Sequence, residues 1–497
     1  MTILPVGDYR PDVPAYLGTH ATVATNVFPR PDGSDGPLKA ATVVATGLSG
    51  QPVSAYMARS GDGTVYQYVA VAYANTINRK YGSTYAGFFT GSSGGGATVL
   101  FPWRFTQFGE RLVAVNPASG LWYHTITTTN NFTQATAAPR AAFIATIEPG
   151  FVMLGRINDG TERPAGLRWS AINDGTDWPV VGTSDAASKQ SDDQDLPNGG
   201  AVTGILAAVG GGAACVLTER SVYRVDYIGA PSIFSFREII RGSGNICPNG
   251  AIAVRGIAYY VSEEGFQRFD GQAETPIGLG RVSRTFLDSV DRENLHRVYV
   301  AHEPNRKLLV WAYPDTTATN GNPNRWLIYS YATDKWRYSD DPGIECCLIF
   351  TAQQDGTSLD LIASPDSMTS TSMDSTTIGG GSPLLAGFNT SNQFVTYTGA
   401  TLAALVETGE TDDKGRRVFV SGLRPLTDAA APTAAVGYRD TFNASIAYTS
   451  LTGIEATGVC PQRINTRYAR ARVYIPAAAT WTYLQGVDVQ MQRAGKR

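Results

Sequence analysis

The strongest constraint on the fold is a strand and turn pattern that recurs along the first three quarters of the 497-residue chain. In each copy a turn, usually containing Gly, joins two apolar strands. A polar turn then leads to the residue that opens an aromatic-rich strand, which is Gly or Ser in the clearest copies. The clearest copies span residues 105–124, 206–226 and 251–270. Looser copies span residues 57–69, 151–170, 299–313 and 349–363.

The residue that opens each aromatic strand marks the period of the repeat. The markers are Thr64, Gly120, Gly166, Ser221, Gly265, Lys307 and Ser358. Their separations are 56, 46, 55, 44, 42 and 51 residues, near the roughly 40 to 50 residues of a four-stranded propeller blade with loop insertions. One blade cannot cover both of its faces, so blades must stack in a closed ring. The pattern therefore predicts an all-β fold with a six- or seven-bladed β-propeller over residues 51–364.

Helical signal is confined to residues 281–300, where apolar residues roughly follow helical spacing over a charged face. We expect the first half of this segment to be a short helix or irregular loop that leads into a strand. Within the aromatic strand at 265–270, alternation places Phe266 and Arg268 on one side and Phe269 on the other.

The segments outside the repeat predict a second β domain. Residues 365–382 are rich in Ser, Thr and Gly, which is typical of a linker or surface loop. Residues 383–497 show further strands and predict a small β-sandwich-like domain, which the N-terminal arm, residues 1–50, could complete. In its stretch ARARVYI (469–475), alanine and aliphatic residues alternate with Arg470, Arg472 and Tyr474. This alternation is typical of a sheet that packs on the core with one face and exposes the other to solvent.

Bulk properties exclude several classes of protein. The net charge of −3 provides no global basic field for non-specific binding to nucleic acid. The N-terminus lacks the basic and apolar regions of a signal peptide. Residues 200–217 are uncharged and long enough to span a membrane, but their glycines favour a strand, a Gly turn and a second strand, so we expect no membrane segment. The five cysteines are scattered without a CxxC pair, which predicts buried, reduced thiols.

Motifs for catalysis are scarce. The four histidines form no HExxH motif, and there is no GxSxG elbow and no phosphate-binding GxxxxGK[ST] loop. The Gly runs at 91–97 and 209–214 lie between strands, where they predict turns. We therefore expect a protein that is not an enzyme, with no catalytic, cofactor-binding or metal-binding residues and no cofactor.

Two acidic clusters are candidate sites. Glu263 and Glu264 could serve as the paired carboxylates of a glycosidase, but they occupy the polar turn of the repeat and favour a blade corner. Asp192, Asp193 and Asp195 carry the oxygen ligands that Ca²⁺ prefers. Their spacing lacks an EF-type loop, which favours a solvated loop.

The stretch GLRWSAINDGTDWP, residues 166–179, could be an aromatic-lined acidic site or a blade corner. Its Asn-Asp-Gly sequence predicts a tight turn with a positive φ at Gly175 and with Asp174 bonded to its own backbone. The order of its residues is also similar to the Asp-box of sialidase-type propellers, at different spacings, and that box is itself a structural turn. We expect Trp169 to stack between blades and Trp178 to pack on the strand that Trp169 leaves.

The C-terminal region is locally basic, which could dock an acidic partner or DNA phosphate. The alternative is the solvated face of edge strands. The basic residues are Arg463, Arg467, Arg470, Arg472, Arg493, Lys496 and Arg497.

Several of these stretches together resemble the tail nozzle proteins of short-tailed bacteriophages, also described as tail hub, tubular or packaged-DNA stabilisation proteins. The stretches that carry the resemblance are residues 15–39, 167–178, 195–231, 256–271 and 486–497. The motifs in these stretches are degenerate and structural.

The resemblance implies a structural virion protein that is assembled in the bacterial host cytoplasm and located in the virion tail. It implies a homo-oligomeric ring, commonly a hexamer, below the portal and its adaptor, in contact with tail fibre, spike or needle proteins. Genomic DNA would be held and then ejected through the ring without sequence-specific binding. The alternatives are a carbohydrate-binding or glycan-degrading tail propeller that acts in host recognition, and a host-cell scaffold propeller.

Overall fold

The computed structural model describes residues 2–16, 18–73, 76–87, 98–353, 382–412 and 416–494. The N-terminal arm forms five short strands. They are β1 (Thr2–Pro5), β2 (Val23–Thr25), β3 (Val27–Pro29), β4 (Asp35–Pro37) and β5 (Thr42–Ala45). β1 to β4 belong to the second β domain, whereas β5 joins the propeller.

Six four-stranded antiparallel blades follow in chain order. Blade 1 contains β6 (Pro52–Arg59), β7 (Val65–Val71), β8 (Ile77–Tyr81) and β9 (Thr84–Gly87). Blade 2 contains β10 (Arg104–Phe108), β11 (Arg111–Asn116), β12 (Gly120–Thr125) and β13 (Thr133–Gln134). Blade 3 contains β14 (Arg140–Ile147), β15 (Phe151–Asn158), β16 (Glu162–Trp169) and, after helix α1 (Ser184–Ser188), β17 (Asp193–Asp195).

Blades 4 to 6 repeat this plan. Blade 4 contains β18 (Val202–Ala207), β19 (Ala214–Thr218), β20 (Ser221–Gly229) and β21 (Ile233–Arg241). Blade 5 contains β22 (Ile252–Val254), β23 (Ile257–Ser262), β24 (Gly265–Phe269) and β25 (Glu274–Pro276). Blade 6 contains β26 (Tyr299–Glu303), β27 (Leu308–Tyr313), β28 (Arg325–Ser330) and β29 (Lys335–Ser339).

Short helices occupy the loops around blade 6. Helix α2 (Ser283–Ser289) and a 3-10 helix (Arg292–Arg297) lead into β26, which confirms the short helix predicted within 281–300. Two further 3-10 helices span Thr319–Gly321 and Pro342–Ile344.

The seventh blade closes the ring with strands from both ends of the chain. It contains β30 (Cys346–Gln353), β31 (Pro383–Asn389), β32 (Phe394–Thr396) and the N-terminal β5. The innermost strands contact one another in order around the ring, and β30 contacts β6. The propeller is therefore seven-bladed, in agreement with the predicted fold class.

The predicted boundaries of the propeller do not match its sheets. β31, β32 and β5 lie outside residues 51–364, yet they build blade 7. β5 pairs with a strand about 350 residues away, a contact that local periodicity cannot show. Apart from Ser382, the predicted linker 365–382 lies outside the described residues, as do the marker Ser358 and the Gly run 91–97.

The second β domain, here called the platform, is built from both termini. Its remaining strands are β33 (Ala404–Glu407), β34 (Thr411–Asp412), β35 (Val418–Thr427), β36 (Thr433–Arg439), β37 (Ala447–Tyr448), β38 (Thr452–Gly453), β39 (Cys460–Thr466), β40 (Tyr468–Ile475) and β41 (Leu484–Arg493). One sheet runs β3-β4-β41-β35-β39 with β1 on β41, and the other runs β2-β33-β40-β36-β37 with β34 on β40 and β38 on β36. The predicted completion of this domain by the N-terminal arm is confirmed.

Blade 6 and the platform form one continuous structure. β2 pairs with β33 and also, in parallel, with β29 of blade 6, where Thr25 faces Tyr338. One buried apolar cluster contains Trp311 and Trp336 of blade 6 together with Val420 and Val473 of the two platform sheets. Shared strand pairing and a shared core therefore fix the platform on the propeller.

The remaining apolar clusters lie between neighbouring blades. Phe266 packs toward blade 6 and Phe269 toward blade 4, which confirms the predicted alternation in β24. The five cysteines are free and buried, as predicted. The uncharged stretch 200–217 forms β18, a Gly turn and β19, also as predicted. In the described part of the chain, no helix is long and apolar enough to cross a membrane.

The marker residues identify blades but not one fixed strand. Gly120, Ser221 and Gly265 open the third strands of their blades, whereas Thr64 and Lys307 directly precede second strands. Gly166 lies inside the third strand β16. Successive hairpins of a blade have similar polar turns, so the local pattern cannot distinguish them.

Candidate functional site

The most exposed apolar part of the platform is residues 441–457, here called the edge segment. It leaves β36 at Arg439, carries β37 and β38, and returns to β39. β37 is the last strand of its sheet, so among the described residues it is paired on one side alone, with β36. Its backbone is therefore available for pairing with another chain.

Large apolar side chains of the edge segment face solvent. Phe442 and Leu451 are 50% and 51% exposed, and Ile454 is 40% exposed. Apolar groups concentrated beside a strand with one free edge are typical of a surface that another chain covers. The edge segment is therefore the candidate functional site.

An aromatic cluster holds the start of the edge segment. The Phe442 ring lies 4.4 Å from that of Tyr468 and 4.7 Å from that of Tyr16, between ring centroids. The Arg439 guanidinium lies 5.2 Å from the Phe442 centroid. These contacts hold one face of Phe442, while half of its surface stays exposed.

A buried cluster of charged side chains contacts Tyr448 of β37. The Glu407 carboxylate, 1% exposed, accepts from Arg470 Nη1 at 3.1 Å and from Arg472 Nε. The Tyr448 hydroxyl of β37 donates to the same carboxylate at 3.2 Å. Burial, together with the nearby Glu407, raises the pKa of Tyr448. The Arg472 guanidinium lies over the Tyr448 ring, 3.5 Å from its centroid.

This cluster corrects two expectations about the C-terminal arginines. Arg470 was expected to face solvent, but it is only 8% exposed, because Glu407 and Glu410 lie beside it. Its strand β40 lies between β33 and β36 rather than at an edge.

The other described C-terminal arginines lie in β39, directly after β39 and at the end of β41. Arg463, Arg467 and Arg493 are exposed, while Lys496 and Arg497 lie outside the described residues. Val418 of β35 pairs with both Thr466 and Arg493, so Arg467 and Arg493 lie at the same end of this sheet.

The two acidic clusters have structural partners. Glu263 and Glu264 form the turn between β23 and β24, with the Glu264 backbone N–H donating to Ser262 Oγ, which confirms the blade corner. Asp193 and Asp195 lie in strand β17, not in the expected solvated loop. Arg163 bridges both carboxylates.

The stretch 166–179 is a blade corner, but its details differ from the prediction. Asp174 accepts from the backbone N–H of Thr176, as expected. The positive φ of 60° lies at Asn173, however, and not at Gly175. Gly175 is required for space, because a Cβ there would lie 2.6 Å from Val152 Cγ2.

The two tryptophans pack on opposite faces of blade 3. Trp169 stacks between blades 3 and 4, with its ring 5.1 Å from that of Phe234, as predicted. Trp178 instead lies in the cluster between blades 2 and 3, beside Val113 and Val115. The prediction that Trp178 packs on β16 is therefore wrong, because the corner carries its ring around to the other face.

The histidines are distributed over separate elements. Burial lowers the pKa of His124 to about 4, and it also lowers the pKa of His20, His296 and His302. His302 Nε2 lies 3.1 Å from the Tyr331 hydroxyl. Over the described ranges, no group of three or more His, Cys, Asp or Glu side chains is arranged to hold a metal ion.

Sequence reasoning missed the residues that build the edge segment. Glu407 is a single acid in a short strand, and no spacing rule connects it with Arg470, 63 positions away. The apolar residues Phe442, Leu451 and Ile454 can be read from the sequence, but their exposure cannot.

Comparison with known proteins gives the fold alone. No protein-family model matches this sequence, and no curated protein matches it. The YCF48 structure bound to a D1 peptide is similar, with 10% identity and a TM-score of 0.36 over 61% of this chain and 85% of that one. The Pan2 WD40 domain of Neurospora crassa gives 8% identity and a TM-score of 0.37 over 61% of this chain and 82% of that one.

A third similar structure is the dihydro-heme d1 dehydrogenase NirN in complex with DHE. It gives 11% identity and a TM-score of 0.37 over 83% of this chain and 76% of that one. These values assign no function to this chain, and the seven blades are defined by the strand pairing itself.

Proposed function

We propose that this chain is a ring-forming structural protein of a bacteriophage virion tail, of the nozzle or hub type. The observation behind this proposal is the edge segment. Its exposed residues Phe442, Leu451 and Ile454 flank β37, a strand that is paired on one side alone. A ring-forming protein needs such a surface, since each copy buries it against the next. The sequence resemblance supplies the assignment to a phage tail.

The charges beneath the edge segment support a protein partner rather than nucleic acid. Arg470 and Arg472 both pair with Glu407, and Arg470 also lies 3.9 Å from Glu410. Carboxylates therefore occupy these two guanidinium groups, which leaves them less able to bind phosphate groups. The net charge of −3 also suits a conduit that DNA slides through without adhering.

The connection between platform and propeller supports a defined ring geometry. β2 joins both domains, and Arg337 of blade 6 is paired with Asp35 of the platform. A contact between neighbouring platforms would therefore set the angle between whole protomers, and a head-to-tail contact with the correct rotation closes a ring.

In this proposal six copies surround the channel for the genome, below the portal and its adaptor, and tail fibre, spike or needle proteins attach to the ring. The edge segment of each protomer lies on the platform of its neighbour. The copies assemble in the host cytoplasm and remain in the virion tail.

The test compares two surface variants of the full chain by mass photometry. We expect the wild type to form a six-copy ring and the triple variant Phe442→Ser/Leu451→Ser/Ile454→Ser to remain a monomer with an unchanged circular dichroism spectrum. The control Val180→Ser removes a 70% exposed apolar residue of blade 3 and should leave the ring intact. Rings of wild-type yield from the triple variant would contradict the proposed contact.

The alternative function, a carbohydrate-binding or glycan-degrading tail propeller, is tested separately on a glycan array. It would be favoured by glycan binding or hydrolysis that Glu263→Gln or Asp174→Asn abolishes. Glu263 lies in a turn, and Asp174 accepts a hydrogen bond within one, so each variant needs an unchanged unfolding temperature.

A further inference from the structure

A cavity of about 240 Å³ lies where the innermost strands of the blades converge. Its wall comes from β6, β10, β14, β26 and β30 and from the loop that precedes β22. Blades 1, 2, 3, 5, 6 and 7 therefore all contribute. The edge segment contributes no residue to it, so the cavity is independent of the proposed ring contact.

Arg104 places a cation in this cavity. Its guanidinium donates to Asn249 Oδ1 at 2.9 Å and to the Pro248 carbonyl at 3.3 Å, and it lies 4.4 Å from the centroid of the Phe143 ring. Within the described ranges no carboxylate forms an ion pair with it, whereas the buried Arg337 and Arg470 each pair with a carboxylate. Burial lowers the pKa of Arg104 to about 10, so the side chain stays charged at neutral pH.

The partners of Arg104 are held in place by further bonds. Asn249 Nδ2 donates to the His296 carbonyl at 2.6 Å, which fixes the amide with its oxygen toward Arg104. The guanidinium is thus oriented by neutral groups that leave its charge uncompensated. A partly buried cation of this kind loses hydration energy that an anion can restore.

A second polar group of the cavity lacks a partner. The Ser54 hydroxyl, on β6, is buried without a hydrogen-bond partner, and Ser54 lines the same cavity. Such a hydroxyl can donate to an oxyanion. The apolar part of the wall includes Val53, Phe105 and Phe350.

We propose that this cavity binds a small oxyanion, a carboxylate or phosphate group carried on a compact molecule, with Arg104 as the main ligand. The guanidinium fork matches two oxygens of either group. Ser54 donates a further hydrogen bond, and the apolar side chains of Val53, Phe105 and Phe350 contact the body of the molecule. The occupant is a free small molecule, because the available volume suits a ligand of a few heavy atoms to about a dozen.

The test measures binding by isothermal titration calorimetry with sodium phosphate and sodium benzoate as probes, at constant ionic strength in sodium chloride. We expect saturable binding of at least one probe to the full chain, and the probe that binds identifies the oxyanion class. Arg104→Gln should weaken that binding at least tenfold, and Ser54→Ala should weaken it several-fold. The exposed control Arg241→Gln should leave binding unchanged.

Two results would overturn the proposal. One is the absence of saturable binding of both probes to the wild type. The other is unchanged binding in Ser54→Ala together with unchanged binding in Arg104→Gln. If Arg104→Gln does not fold, the wild-type titration and Ser54→Ala still decide, and neither depends on whether the chain forms a ring.

Discussion

Arg337 of blade 6 and Asp35 of the platform form a bidentate ion pair in which both side chains are fully buried. Arg337 Nε lies 2.8 Å from Asp35 Oδ1, and Arg337 Nη2 lies 3.0 Å from Asp35 Oδ2. The remaining guanidinium nitrogen donates to the Trp336 carbonyl at 2.7 Å. The pair is one of the links that fix the N-terminal arm to the propeller.

Breaking this pair should destabilise the protein strongly. Asp35→Asn leaves the Arg337 charge buried without its counter-charge, which costs about 3–5 kcal/mol of unfolding free energy. Denaturation in urea measures the change. Asp288→Asn is the control, because its pair with Arg284 is exposed and contributes less than about 1 kcal/mol. Equal losses of unfolding free energy in the two variants would show that the buried pair contributes no more to stability than the exposed pair does.

Gly175 should not tolerate a side chain. In Gly175→Ala the new methyl group would lie 2.6 Å from Val152 Cγ2 and 3.2 Å from the Phe108 ring. Such overpacking costs about 1–3 kcal/mol. Gly453→Ala is the matched control, since that position has open space and no positive φ, and its change should stay within about 0.5 kcal/mol. Thermal unfolding compares the two, and an unaffected Gly175→Ala would refute the close approach.

The two tryptophans should act independently. Trp169→Phe removes a bond from Nε1 to the Gln190 carbonyl, and Trp178→Phe removes one to the Gly175 carbonyl. Because the rings pack toward different blades, the losses in the double variant should add within about 0.5 kcal/mol. Chemical denaturation of the two single variants and the double variant checks this, and a coupling above about 1 kcal/mol would mean that the rings share one packing unit.

The sequence predicts the blades well because their periodicity is local. Strands of similar length recur with similar turns, so a four-stranded unit can be read from a few dozen residues. The closure of blade 7 could not be read, since β5 is four residues long and pairs with a strand at the far end of the propeller. The alternation along β40 predicts correctly that Arg470 points away from the side of the alanines. The sequence does not predict that Arg470 is buried there, because its ion pair with Glu407 joins residues of two different strands.

His124 should make the protein less stable in acid. Its ring is buried beside Phe132 and Tyr68, and burial lowers its pKa from the ordinary 6.5 to about 4. The unfolded chain therefore takes up the proton more readily than the folded chain. The contribution of His124 to the unfolding free energy is fully present above about pH 6.5. It is lost as the pH falls from 6.5 toward 4, by about 3 kcal/mol in total.

The variant His124→Phe isolates this contribution. It removes the titrating group, so the difference in unfolding free energy between variant and wild type should change by about that amount between pH 6.5 and 4. Denaturation curves at several pH values measure the difference. Parallel profiles for the two proteins would mean that His124 titrates normally in the fold.

Negative-stain electron microscopy of the purified wild-type chain, over a series of protein concentrations, tests the proposed function most directly. We predict closed rings with sixfold symmetry, in which each protomer shows a propeller with a platform beside it and the platforms meet at their edge segments. Particles that remain single protomers at every concentration would contradict the proposal that this chain is a ring-forming tail protein.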